Sequence, residues 1–448
     1  MRIKTLFLSI VLITVVACEK IEKMDLLALQ QVVVSESQEH LAFPSIEKLS
    51  SGELVCVFRR GRGHVSPDGN ILLSRSNTNG YSWTPPDTII STRLDCRDPS
   101  IMELSDGTLL LNFFQSKYDT SGKIIGPFGV FVSRSYDGGQ TWYTPKMVIL
   151  EDYDWVATSS RIIETKDGAL LLPVYGAREG QKSAALVVVS RDFGRTWNET
   201  HVIAFDSTGV IAFQEPALVQ LPDGRILCVM RTAGDGHFQY QSYSGDGGKT
   251  WSRFRRMNVQ GQAAGLLMTK DNILVCAYRD YSPRGTSYSV SYDLGLTYEK
   301  ETVLHTHLID QGYAEMVELD PGKVICVYYA AEKGHSRIYA SFFRVTRPET
   351  PGALHASVTS DSTISLRWNA VKEAHYYRIH RKTIVDSSDQ DISDMGKLIA
   401  MTTKNVYVDR KVKPSTSYRY QISAVVSSSD LIDKSGAVSV PAVVGIRF

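Results

Sequence analysis

Charged and aromatic residues of catalytic type stand at two recurring places in this chain. Arg97 with Asp98, Arg161, Gln214 with Glu215, and Tyr313 with Glu315 open short apolar segments. Arg59, Arg60, His64, Gln115, Arg178, Arg231, Arg279 and Tyr329 close the segments that follow. A hydrophobic core has no use for so many ions, whose desolvation is costly. Arginines set among carboxylates and tyrosines suit a ligand that carries a carboxylate or many hydroxyls. His64 can give or take a proton near neutral pH. Asp68 lies in Pro67-Asp68-Gly69, a turn signal. No set of His, Cys and carboxylates stands at metal-ligand spacing, so neither a metal nor another cofactor is expected.

Two interleaved repeats must position these residues. The first is a strand, a tight turn and a return strand: Phe43 to Phe58, Asp98 to Phe114, Ser159 to Tyr175, Glu215 to Arg231, Ala264 to Arg279 and Tyr313 to Tyr329, with turns such as Asp106-Gly107 and Asp223-Gly224. Each copy reads as a β-hairpin. The turn marks one end of the hairpin, so the start of the first strand and the end of the second share the other. The second repeat reads Ser-x-Asp-x-Gly-x-Thr-Trp and runs from Ser133 to Trp142, Ser190 to Trp197, Ser244 to Trp251 and Ser291 to Tyr298, with a degenerate copy from Ser76 to Trp83. Here an Asp accepts backbone N–H groups, Gly supplies positive φ and the ring packs between strands. Six hairpins predict an all-β fold with a six-bladed β-propeller over residues 29–346. A strand near Gln31 to Ser37 is expected to complete the last blade and leave no open edge.

The second repeat is similar to the Asp-box of the sialidase superfamily, and the resemblance spans about 300 residues. It implies that Glu215, in Gln214-Glu215-Pro216, is the base-like partner and that Arg231 binds substrate. It also implies that Tyr313, in Asp310-Gln311-Gly312-Tyr313, is the nucleophile. Sialidases place their acid in the loop after the first hairpin, where Asp68 stands and His64 is the rival. Their first arginine, which grips a carboxylate, is missing from Ala42-Phe43-Pro44-Ser45, and Arg59, Arg97 or Arg279 could stand in. Asp98, Gln115 and Tyr329 complete the expected substrate-binding set. The implied activity is an exo-acting, retaining glycoside hydrolase that removes a terminal, acidic sugar. Two alternatives stay open: a non-catalytic glycan-binding protein, and a propeller polysaccharide lyase acting on a uronate.

The 448 residues exceed one core, which predicts more than one domain. A net charge of +1 with no basic stripe argues against nucleic acid as a partner. Arg2 and Lys4, the apolar run Leu6 to Val16, and Ala17 before Cys18 predict a signal peptide over 1–17 and a lipid on Cys18. A linker over 18–28 follows. The protein is then an exported, membrane-anchored lipoprotein, facing the periplasm or the cell surface, and a monomer. Cys56, Cys228, Cys276 and Cys326 occupy one place in four similar strands and, with Cys96, are odd in number. Buried thiols are expected rather than disulfides. From Pro351 the pattern changes. Trp368, Tyr376 to His380 and Pro414 to Tyr420 resemble a fibronectin type III domain, placing that module over 347–448.

Overall fold

In a computed structural model of the chain, the described residues run from 30 to 447, apart from 308, 333, 348, 361, 373, 375, 385–395, 427–436 and 439–441. Cys18 and the segment before it lie outside them. Among the described residues there are strands and turns and no α-helix. The portion up to Arg344 forms six antiparallel sheets in sequence order. Their innermost strands begin at His40, Asp95, Trp155, Ala212, Gln262 and Asp310. The strand Gln30–Ser37 pairs with His335–Arg344, so the last sheet takes its outer strand from the start of the described chain.

Six apolar clusters join these sheets into a closed, propeller-like ring. One sits between each neighbouring pair, including the last sheet and the first, where Phe43, Phe58 and Leu72 meet Val327, Ile338 and Phe342. Cys56, Cys228, Cys276 and Cys326 are small core side chains within them, and all four, like Cys96, are free and buried. Burial pushes the Cys276 thiol up to about 12, far from reactive.

The Ser-x-Asp turns take the expected form. Asp137, Asp192, Asp246 and Asp293 each accept the backbone N–H four residues on, at 2.9 Å. Hydrogen bonds from Thr250, side chain and backbone, take the Asp246 carboxyl down to about 2. Beyond Arg344, two further sheets, of three and five strands, share one core around Trp368, Tyr377, Tyr418, Tyr420 and Ile422. The Tyr418 hydroxyl accepts the Lys413 N–H at 2.9 Å.

One irregularity recurs at the starts of the innermost strands. Phe43, Asp98, Glu215, Ala263 and Tyr313 have φ of 56, 48, 44, 52 and 51°, the left-handed region. At each of them the register with the second strand slips. In the third sheet the strand is interrupted between Ala157 and Ile163, and Ser159 takes the corresponding place. Proline follows the kink in three copies, Pro44, Pro99 and Pro216. A residue without an N–H cannot join the ladder and fits a bulge. Left-handed backbone at a non-glycine residue costs about 1 kcal/mol or more, and such strain gathers at functional sites.

Candidate active site

The kinks turn side chains out of the sheets and onto the axis of the ring, where Phe43, Asp98, Ser159, Glu215, Ala263 and Tyr313 surround a cavity of about 20 Å³. The Tyr313 hydroxyl donates to Glu215 Oε1 at 2.7 Å. Arg231, at the end of the strand paired with Glu215's own, donates to the same oxygen at 2.7 Å. Glu215 Oε2 is buried with no partner among the described residues. Burial, then the charges of Glu215 and Asp98, raises the Tyr313 phenol well above its ordinary range, and the guanidinium groups of Arg279 and Arg231 oppose that rise. The Arg279 guanidinium sits 5.0 Å from the centre of the Tyr313 ring. A phenol in this setting ionises only as its proton passes to a partner, and Glu215 is in place to take it.

Asp98 forms part of the same floor. Its Oδ2 accepts the Ser159 hydroxyl at 2.7 Å, while Oδ1 is buried without a partner. Burial above all, with the neighbouring Glu215 charge adding to it, raises this carboxyl to about 7. Asp98 can therefore offer a proton to a sugar hydroxyl.

At the rim, one carboxylate organises four groups. Asp310 Oδ2 lies 2.7 Å from His40 Nε2 and 2.7 Å from His64 Nδ1. Its Oδ1 accepts the Tyr329 hydroxyl at 2.6 Å, and Arg279 approaches that oxygen to 3.8 Å. Burial alone would raise the Asp310 carboxyl, but hydrogen bonds from both histidines outweigh it and hold the group well below the usual carboxylate range. Burial lowers His64, with Asp310 opposing. His64 packs edge-on against Phe43, with ring centres 5.2 Å apart, and Phe43 packs against Tyr313 at 4.8 Å.

His40, His64 and Asp310 could hold a metal ion, since their ligand atoms lie within 4.8 Å of one another. The 2.7 Å contacts are hydrogen-bond distances, however. Two ligands of one tetrahedral zinc, each bonded at about 2.0–2.1 Å, stand roughly 3.3 Å apart. Reading the sequence missed both His40 and Asp310. Their partners lie up to 270 residues away, and only the ring closure joins them.

Several expected site residues are placed elsewhere. Arg59 is 0 % exposed and does not face the pocket. It pairs with Asp95 at 2.8 Å, and its remaining donors go to the Gly63 carbonyl and to Ser66. It thus holds the loop that carries His64, and the glycines of that loop make room for it. A Cβ on Gly61 would lie 2.7 Å from the guanidinium, and one on Gly69 would lie 1.8 Å from Asp95 Oδ1. Asp68 is on the outside of this loop, paired with Arg62 at 2.8 Å. Burial is outweighed there by hydrogen bonds from Ser66 and Arg62, which lower its carboxyl, the wrong direction for a proton donor. Gln115 is buried and spends its amide on Thr92 at 2.9 Å. Side chains alternate along a strand, and it is Phe114 that faces Arg97. Arg161 and Glu315 pair with each other at 3.1 Å, and Arg161 also bonds the Ile46 and Met316 carbonyls. Arg60 pairs with Glu39 at 3.3 Å, and Arg178 bonds the Asp152 carbonyl.

Arg97, Arg231 and Arg279 do meet around Tyr313. Arg97 lies 5.2 Å over the Phe43 ring, spanning from the second sheet to the first, and donates to the His64 carbonyl at 2.7 Å. Arg279 donates to the Gln311 carbonyl at 2.6 Å and to the Tyr329 hydroxyl at 3.2 Å. Three cations, a Tyr–Glu pair and a carboxyl raised to about 7 can bind a hydroxylated anion and attack it with a phenol.

The family model for BNR repeat-like domains matches residues 52–277, just over half of the chain. A sialidase of Paraclostridium sordellii is 22% identical over 284 residues, covering 53% of this chain and 69% of the relative. A sialidase of Bacteroides fragilis is 24% identical over 198 residues. That match covers 41% of this chain and spans 33% of the relative's length. The crystal structure of a protein of unknown function from Dyadobacter fermentans superposes with a TM-score of 0.64 at 28% identity, over 71% of this chain and 98% of that one. Two solved sialidases, and an arabinanase of Penicillium chrysogenum, share the fold at TM-scores of 0.55–0.58 and 14–18% identity.

Proposed function

The chain belongs to the family of BNR repeat-like domains, and from that membership we propose that it is an exo-acting, retaining glycoside hydrolase of sialidase type that releases a terminal acidic sugar. The observation that carries this reading is the Tyr313 hydroxyl at 2.7 Å from Glu215, in a setting of three arginines. We read the six sheets as six blades, the portion beyond residue 346 as a fibronectin-type module without catalytic residues, and Cys18 as a lipid anchor. Fractionation tests the anchor: Cys18→Ala should leave the membrane fraction, and a variant that fractionates like the wild type removes it.

In this mechanism Arg97, Arg231 and Arg279 hold the substrate carboxylate. Arg97 stands in for the arginine missing from Ala42-Phe43-Pro44-Ser45. Asp98, neutral below about pH 7, donates through Oδ1 to a sugar hydroxyl. Tyr313 attacks the anomeric carbon as its proton passes to Glu215, and the leaving oxygen takes the Nε2 proton of the His64 imidazolium, which leaves a neutral ring with its proton on Nδ1. Water then enters and gives a proton to His64 while its oxygen bonds to the anomeric carbon. The tyrosyl–sugar bond breaks, and Glu215 returns the first proton. Assigning His64 rather than Asp68 follows from its place against Phe43 and from the lowered Asp68 carboxyl. Asp310 positions His64 and fixes the tautomer with its proton on Nδ1.

The test is product analysis with a sialylated oligosaccharide. A saturated free sugar of retained configuration supports the reading. An unsaturated product absorbing in the ultraviolet points to the lyase, and binding without turnover points to a lectin-like protein.

A pH dependence follows. His64 must be protonated to act as the acid, and burial lowers its pKa against the pull of Asp310, with the Arg97 and His40 charges lowering it further. kcat/KM should therefore fall as pH rises, with the break below pH 6.5, and Asp310→Asn should move the break lower still by removing the anion that favours the imidazolium. A profile flat from pH 5 to 7.5 excludes His64 as the acid.

A further inference from the structure

Antiparallel strands bring the Ser-x-Asp turns to the end of the ring opposite the kinks, away from the pocket. There the turns of the second and third sheets enclose a cavity of about 580 Å³, within the range of small-ligand sites. Tyr136 and Tyr143, 58% and 60% exposed, stand edge to face at 5.4 Å on one side, and Trp197 forms the other. Met147 and Ile149, 43% and 69% exposed, line the same cavity, so the apolar surface there is contiguous, as at binding sites. Lys146 and Arg195 are exposed at the same cavity, and no carboxylate lines it.

Trp197 differs from its counterparts. The indoles of Trp83, Trp142 and Trp251 each donate to the glycine carbonyl of their own turn. In the third sheet that carbonyl, on Gly194, is taken by Arg134 of the neighbouring sheet. The Trp197 N–H has no partner among the described residues. Rings and two cations thus converge on one cavity, and the residue that carries the unengaged donor lines it.

We propose that this cavity is a second saccharide site, which takes an anionic stretch of glycan, carboxylated or sulfated. Its use in holding the chain whose terminal sugar is hydrolysed rests on the proposed function; its chemistry does not. The rings cover the apolar faces of pyranose units, Lys146 and Arg195 pair with the anionic group, and the Trp197 N–H meets a hydroxyl. An adjoining cavity of about 390 Å³ shares Trp197 and Asn198 but is lined by Glu151 and Asp152. That charge places the anionic group at the Lys146 end.

Calorimetric titration of the full chain with a chondroitin sulfate hexasaccharide tests this, with neutral chitohexaose as the contrast. The sulfated probe should bind at least tenfold more tightly than the neutral one. Tyr143→Ala and Lys146→Glu should each weaken it tenfold or more, and Arg231→Ala, in the pocket, should leave it unchanged. No binding at millimolar probe, binding indifferent to Tyr143→Ala and Lys146→Glu, or binding lost only with Arg231→Ala overturns the proposal. Both surface variants should hydrolyse a small aryl sialoside like the wild type. If the wild type fails to turn over that substrate while the hexasaccharide still binds, the hydrolase reading fails and the second site stands.

Discussion

Tyr313→Phe should lower kcat by two decades or more on a terminal acidic sugar while leaving the fold intact. The variant keeps the ring that packs on Phe43 and loses only the hydroxyl that donates to Glu215. Glu215 still has Arg231 at 2.7 Å, so no buried charge is stranded. Glu215→Gln should cost a similar factor, about the scale of general-base help. The double variant should be little worse than either single one, because a nucleophile and the base that activates it act as one unit. Steady-state kinetics alongside circular dichroism separates these outcomes. An unchanged kcat in Tyr313→Phe removes the nucleophile and, with it, the preference for hydrolysis over a lyase or a binding protein. Multiplicative losses in the double variant would instead assign the two residues separate tasks.

Arg59→Ala should be the most destabilising single change near the site, by about 3–5 kcal/mol, the usual cost of breaking a buried ion pair from one side. Both partners are 0 % exposed, so Asp95 would keep a buried charge supported, among the described residues, by the Tyr118 hydroxyl and a more distant Arg97. The loop over residues 61–69 would lose the donors that hold Gly63 and Ser66, and His64 its fixed place. Denaturant midpoints read the stability change. Arg59→Met/Asp95→Asn should recover part of it, since the double variant leaves no unpaired charge. A midpoint for Arg59→Ala within 1 kcal/mol of the wild type shows that the pair does not anchor the loop. Loss of binding with stability unchanged would return Arg59 to the substrate-contacting role expected from its place in the sequence.

The contrast between Arg59 and Arg231 separates what sequence can determine from what it cannot. Both end the second strand of a hairpin, and the repeat correctly brings both to the same end of the ring. A two-residue period and a turn signal are local properties, so the hairpins, their order, the buried cysteines and the Ser-x-Asp turns are legible residue by residue. So is the pairing of Gln30–Ser37 with the last sheet, because an unfinished edge must be covered. The direction of a side chain at the strand's end is not local. Arg59 turns inward because Asp95, from the next sheet, lies beneath it, and Arg231 turns to the axis because a left-handed kink swings Glu215 there. No spacing rule announces those kinks, although Pro44, Pro99 and Pro216 mark three of them after the fact. The trio of His40, His64 and Asp310 is further still from view. Its members meet only when the first and last sheets close the ring, and neither helical nor strand periodicity reports contacts 246 and 270 residues apart. The chemistry available to this chain was therefore determined by its sequence, as residue types at repeated places. Which of those residues face one another was decided by closure of the ring, because desolvation and hydrogen bonding between sheets choose the partner of each buried charge.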